Sequence, residues 1–294
     1  MKTFSVVRII MLALLIASCG SNKLPPGGSG LVESTEVIIS AESSGQLKVL
    51  HFREGDLIEI DDTIGVIDTI TVMLGLRQTE AAKNAAQTQL EMAALNKEQA
   101  AYNFDLAEKE FKRISSLIKS GSANRQQYDK AENTFNQASL ARKQAAAALN
   151  AAEAGLARIE AEVALLRKRF DDCFPTSPLS GRITNEYVDV GELVAAGKPL
   201  IKIARFDTVW VKVYLPPSDL TRIKLGDLAE IDPEDGRETP LEGYIGWISS
   251  QAEFTPKNVQ TKEARADLVY AVKIIIPNPQ EQLKIGMPVS VTIP

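Results

Sequence analysis

Between residues 72 and 170 the apolar positions recur on a seven-residue cycle, and no proline interrupts them. In a first arm one register runs Ala86, Ala93, Ala100, Ala107 and Ile114, and its companion runs Leu90, Lys97, Phe104, Phe111 and Ile118. In a second arm Tyr128, Phe135, Arg142, Leu149, Leu156, Val163 and Phe170 alternate with Ala131, Ala138, Ala145, Ala152, Ile159 and Leu166. Spacings of three and four sustained this long specify a left-handed coiled coil of two helices, each with one small and one large seam position. Lys97 and Arg142 interrupt the large positions and are expected to snorkel outward. The arms break at Lys119-Ser120-Gly121-Ser122-Ala123-Asn124. A basic residue and a glycine suit a helix C-terminus, and Asn124 three residues before Gln127 is a capping-box start for the next helix. So short a loop makes the helices antiparallel, and arms of about 45 residues at 1.5 Å rise project on the order of 65–70 Å.

On either side of the helical arms one small β pattern is stated twice. SGQLKVLHFREGDLIEIDDTIGVI (44–67) and SGRITNEYVDVGELVAAGKPLIKI (180–203) align without a gap at a constant offset, 181 − 45 = 136. Gly45 meets Gly181, Leu47 meets Ile183, Gly55-Asp56 meets Gly191-Glu192, and Ile67 meets Ile203. Each copy reads as a glycine turn, an apolar strand, a Gly-acid turn and another strand. Neither can hold a core alone, so the two are expected to be halves of one domain with the hairpin inserted between them.

Downstream, RFDTVWVKVYLP (205–216) alternates with Val209, Val211 and Val213 on one face, and PPSDLTRIKLGD (216–227) reads as one helical turn or two. Leu228–Ile231, Gly243–Ile248, Leu268–Ile276 and Val289–Ile293 supply further strands, which together predict a small β-barrel. Trp210 and Trp247 are expected in its core or seam.

The N-terminus says where such a chain would act. Lys2 and Arg8 precede or enter an apolar run, 9–17, too short to span a bilayer, and Ile16-Ala17-Ser18-Cys19 resembles a bacterial lipobox. On that reading Cys19 is lipidated and becomes the first mature residue; an ordinary secretory signal is the alternative. Residues 20–30, GSNKLPPGGSG, read from their Gly, Pro and Ser content as a flexible tether. Removing Lys2 and Arg8 takes the formal charge from −5 to −7, which argues against a nucleic-acid partner. With Cys19 lipidated, Cys173 stands alone and reads as a buried structural thiol, and His51 is the single histidine. That removes His-based catalytic triads and multi-His metal sites, and no catalytic residue, metal or cofactor is assigned.

SGQLKVLHFREGDLIEIDDTIGVID and SPLSGRITNEYVDVGELVAAGKPLIKI resemble the half-motifs of the biotinyl-lipoyl-like domain. Split around a coiled-coil hairpin behind a lipobox, they resemble the periplasmic adaptors, or membrane fusion proteins, of the HlyD family, and LVESTEVIISAESSG (31–45) and AEFTPKNVQTKEARADLVYAVKI (252–274) resemble its ABC-exporter branch. The implied fold is α+β, multidomain and elongated. It comprises a signal peptide at 1–18, a lipidated tether at 19–30, an N-terminal strand toward the barrel at 31–43, lipoyl-like halves at 44–71 and 172–204, the antiparallel coiled-coil hairpin at 72–171, and a β-barrel domain at 205–294.

The resemblance further implies a non-enzymatic adaptor, lipid-anchored at the inner membrane in the periplasm of a Gram-negative bacterium. It would form a homo-oligomeric ring, commonly a hexamer, that bridges an ABC-type permease and ATPase to an outer-membrane TolC-like channel. Lipoyl and biotin carriers hold a lysine at the turn joining their halves, where this chain has Asp68-Thr69-Ile70-Thr71-Val72. A carrier-like protein without its lysine, and a structural or surface-binding lipoprotein, are the other readings. Adaptors that dock on TolC-like channels carry an Arg, a Leu four residues on and a Ser seven beyond that; the matching positions are Arg113, Leu117 and Asn124, two agreements and one departure. Dipole compensation by Arg113 and seam packing by Leu117 are the alternative roles.

Overall fold

A computed structural model describes residues 25–234, 236, 240–254 and 268–294. In chain order the elements are β1 (Gly27–Ser40), β2 (Gly45–Leu50), β3 (Leu57–Ile58), β4 (Gly65–Ile67), α1 (Ile70–Lys119), α2 (Arg125–Asp171), β5 (Gly181–Glu186) and β6 (Leu193–Val194). There follow β7 (Pro199–Leu215), α3 (Pro217–Leu220), β8 (Leu228–Asp232), β9 (Leu241–Ile248), β10 (Glu253–Phe254), β11 (Leu268–Pro277) and β12 (Pro288–Thr292). Cys19 lies outside the described residues.

The repeated β pattern folds as one body, and its hydrogen bonds repeat with the 136-residue offset. Gly191 N–H donates to Leu47 O at 2.8 Å and Gly55 N–H to Ile183 O at 2.9 Å. Leu47 N–H donates to Glu192 O at 2.9 Å and Ile183 N–H to Asp56 O at 3.0 Å. The strand pairs obey the same rule, with Gly45↔Val194 and Gln46↔Leu193 mirrored by Ile58↔Gly181 and Leu57↔Arg182. The halves also exchange their cores. Leu47 packs with Val188, Val194 and Leu200, whereas Ile183 packs with Ile58 and Ile64. Each half therefore buries its apolar strand in the other, which is why neither can stand alone. Cys173 is wholly buried in one of these clusters.

One departure from the pseudo-symmetry is instructive. Gly197 (φ +87°) and Asp61 (φ +67°) occupy equivalent left-handed turns, and their amides donate at 2.8 Å to Ala41 O and Ser177 O. A side chain in that conformation costs about 1 kcal/mol, less for Asp than for most residues. Gly197→Ala is expected to lower unfolding stability by about 1 kcal/mol and Asp61→Gly to change it by less than about 0.5 kcal/mol, as read from chemical denaturation.

Six strands, in the order β11-β9-β8-β12-β1-β7, close on each other through a β11–β7 pairing to form the barrel. Its interior holds Val32, Val209, Val211, Val213, Ile231, Ile245, Ile274 and Val289. The alternation of β7 thus has the expected phase, and α3 is a single turn. The tryptophans do not lie in the core: period 2 puts Trp210 on the outer face with the Lys273 ammonium 3.8 Å from its ring centroid, and Trp247 is 46% exposed.

The tether reading fails at its C-terminal end. Gly27 to Leu31 form a barrel strand paired with β12, from Gly27↔Thr292 to Leu31↔Pro288. The glycines there serve close packing: a Cβ on Gly27 would sit 2.4 Å from Val291 O, and one on Gly30 would sit 2.5 Å from Lys212 O and 2.7 Å from Val211 Cγ2. β1 then continues past the barrel to pair with residues 199–204 of β7, so two uninterrupted strands belong to both β bodies. The hairpin begins at Ile70, two residues before the seam pattern, because Asp68 Oδ1 accepts the Ile70 N–H at 2.9 Å.

Candidate functional site

The helices α1 and α2, 50 and 47 residues long, meet along the expected seam. Ala93, Phe104, Ala107, Ala131 and Val163 are buried, and the remaining apolar seam residues are half-buried. At 1.5 Å per residue the hairpin reaches about 70 Å from the β body. Its far third is held by aromatic contacts: Phe135 lies 5.4 Å from Phe104 and 5.2 Å from Phe111, which is 5.5 Å from Tyr128. Arg142, in the seam register, is exposed and lays its guanidinium 3.8 Å from the Phe104 centroid, so its charge escapes while its plane stacks.

The tip is a pair of complete caps. At the end of α1, Ser122 N–H donates to Leu117 O at 2.8 Å and Gly121 N–H to Ile118 O at 3.1 Å, the two bonds of a Schellman turn. At the start of α2, Asn124 Oδ1 accepts the Gln127 N–H at 2.8 Å while Gln127 Oε1 accepts the Asn124 N–H at 3.0 Å. The capping box is closed, and Asn supplies the oxygen that a Ser would.

Arg113 and Leu117 stand one turn apart on α1, near that tip. The Arg113 guanidinium forks onto Glu110, with Nη2 2.6 Å from Oε1 and Nε 3.0 Å from Oε2, yet stays 65% exposed. This bond holds the Glu110 carboxyl below its usual pKa and raises that of Arg113. Arg113 also shares a groove between the helices with Glu110, Ile114, Gln127, Lys130 and Thr134. Leu117 is half-buried outside that groove, and its carbonyl also accepts Ser120 Oγ at 2.9 Å. Sequence reasoning missed Glu110 and Gln127 as groove residues, although the i, i+3 spacing to Arg113 was visible.

A second missed feature runs along the face of α1 opposite the seam. Met92, Leu95, Tyr102 and Leu106 recur at spacings of three, seven and four and are 48%, 64%, 67% and 70% exposed. The corresponding face of α2 carries exposed Leu140 and Leu165 with small residues Ala147, Ala151, Ala154 and Ala161 between them. Among the described residues no helix is long and apolar enough to cross a membrane.

The model of a protein family, the barrel-sandwich hybrid domain of RND membrane fusion proteins, matches residues 35–204, the split β body together with its hairpin. The chain belongs to the membrane fusion protein family. It is a periplasmic adaptor of the kind that works in tripartite transport systems. This membrane fusion protein is 31% identical over 289 residues to a UPF0194 membrane protein of Yersinia pseudotuberculosis, covering 90% of this chain and 88% of that one. A UPF0194 membrane protein of Acidithiobacillus ferridurans is 38% identical over 135 residues, 46% of this chain and 40% of that one. In fold, the chain is similar to the crystal structure of MacA from Actinobacillus actinomycetemcomitans, with a TM-score of 0.65 at 21% identity over 92% of this chain and 79% of that one.

Proposed function

We propose that this membrane fusion protein is the adaptor of a tripartite export system, joining an ABC-type inner-membrane transporter to an outer-membrane TolC-like channel. Cys19 carries the lipid anchor that holds it at the inner membrane, and the hairpin tip at Arg113, Leu117 and Asn124 meets the channel. One observation carries the reading: a proline-free hairpin of about 70 Å, capped at its tip and rooted in a body closed by hydrogen bonds from both halves, is a device for reaching across a gap.

A single hairpin encloses nothing, so the working state is a ring of copies, on family grounds a hexamer. The exposed stripe from Met92 to Leu106 supports this, because its large side chains suit the small-residue face of α2 on a neighbouring copy. Each weak contact in such a ring gains from the effective concentration set by the others. Tyr102→Lys with Leu106→Lys is expected to abolish the ladder of cross-linked oligomers while leaving helicity and stability within about 0.5 kcal/mol of the parent, since both positions are exposed and the new cations stand four residues from Glu98 and Glu110.

Affinity purification of the whole protein after mild cross-linking tests the assignment. Recovery of a permease–ATPase pair together with an outer-membrane channel is the expected result. Recovery of itself alone, or of cell-envelope components with no transporter, would favour the structural or surface-binding lipoprotein reading.

A further inference from the structure

The two β bodies are joined by β1 and β7, and both strands are irregular where they cross. Between the pairs Ser34↔Val209 and Glu36↔Ala204, β1 advances through one residue, Thr35, while β7 advances through four, 205–208. The unmatched segment of β7 is a hinge in the making. It is not left loose, because a loop of the barrel grips it. Asn278, only 3% exposed, donates from Nδ2 to Phe206 O at 2.9 Å and to Leu283 O at 3.0 Å. Its Oδ1 accepts the Leu283 N–H at 3.0 Å, and its own N–H donates to Asp207 O at 2.7 Å. A buried amide with its bonds made is costly to disturb.

The same loop reaches the other body. Glu281, held at φ +49° with its N–H on Asn278 O at 2.9 Å, accepts Arg182 Nη2 on both carboxylate oxygens, Oε2 at 3.1 Å and Oε1 at 3.2 Å. Arg182 lies on β5, opposite Ala204, the last residue of β7 to pair before the irregularity, and its Nη1 donates to Gly55 O. One guanidinium thus binds the first lipoyl-like half, sits in the second and holds the barrel. The two side chains are 34% and 26% exposed, so the pair is partly withdrawn from solvent screening.

We infer that Arg182 and Glu281 form a clasp across this hinge, positioned by Asn278, which sets the angle between barrel and lipoyl-like body and hence the direction in which the hairpin points. The geometry is that of two continuous strands free to flex at an irregularity, with one ion pair fixing the flex. Both residues are positioning residues, and the device works in the isolated protein whatever the chain transports.

Spin labels at Ala164→Cys, near the hairpin root, and Glu230→Cys, on β8, in a chain with Cys19 and Cys173 changed to alanine, report the angle by double electron–electron resonance. Arg182→Gln and Glu281→Gln are each expected to broaden the distance distribution roughly twofold, with helicity by circular dichroism unchanged. The charge exchange Arg182→Glu with Glu281→Arg is expected to narrow it again. A parental distribution in both single variants overturns the clasp, and so does broadening that the exchange fails to reverse, since the cause would then lie outside the pair.

Discussion

Gly30→Val should open the barrel. On the structure its Cβ would come within 2.5 Å of Lys212 O, a backbone atom that cannot move aside without breaking β7. Val211 Cγ2, at 2.7 Å, belongs to a core residue with no exposure and no room to rotate. Overpacking of a dense interior costs about 1–3 kcal/mol, and a clash against backbone belongs at or above the top of that range. Hydrogen exchange should accelerate in β12 and in residues 209–215 of β7, the strands that flank the substitution. Ser29→Val is the control, exposed on the same strand and expected to cost less than about 0.5 kcal/mol. If residues 27–30 were only a tether, both variants would behave alike, and protected amides in β12 of the Gly30→Val protein would restore that reading.

Those four residues show where composition misleads. GGSG is the signature of a flexible linker and also of a strand pressed against other backbones, and only the partners tell them apart. The partners are Val291 and Lys212, more than 180 residues away in sequence, so no local pattern could reveal them. The seam was legible for the opposite reason: coiled-coil packing repeats every seven residues, and its partner helix is fixed by a short turn. The split β body was legible because the chain states it twice, so its long-range bonds could be inferred from one offset. The tryptophans fell between these cases. Val209, Val211 and Val213 show period 2 along β7, and the same period puts Trp210 on the opposite, outward face. The bulk of an indole argues for burial, and the phase of the strand decides against it. At the tip, the capping box was written in Asn124 and Gln127, but the groove joining Arg113 to Gln127 and Lys130 depends on how two helices register across the turn.

Leu117→Ser and Arg113→Asp should each abolish export while leaving the fold in place. Leu117 is half-buried outside the groove, so Ser there removes apolar contact area and leaves the residue's carbonyl free to keep the Ser122 bond of the Schellman turn. Asp at 113 would face Glu110 at i, i+3, a like-charge pair that costs a helix only about 0.2–0.5 kcal/mol. Melting of the hairpin should therefore shift little in either variant. Export should fall far more than stability, because in a ring the lost contact recurs in every subunit and each lost contact lowers the effective concentration of the rest. Asn124→Ala separates capping from contact. Loss of the Gln127 bond should cost about 1 kcal/mol and fray the first turn of α2, with a partial loss of export that tracks the fraying. Glu110→Gln, which weakens the fork without reversing charge at Arg113, should retain most activity if the guanidinium itself is what the channel reads. Full export from both Leu117→Ser and Arg113→Asp would remove the tip from the channel interface and return both residues to ordinary helix chemistry.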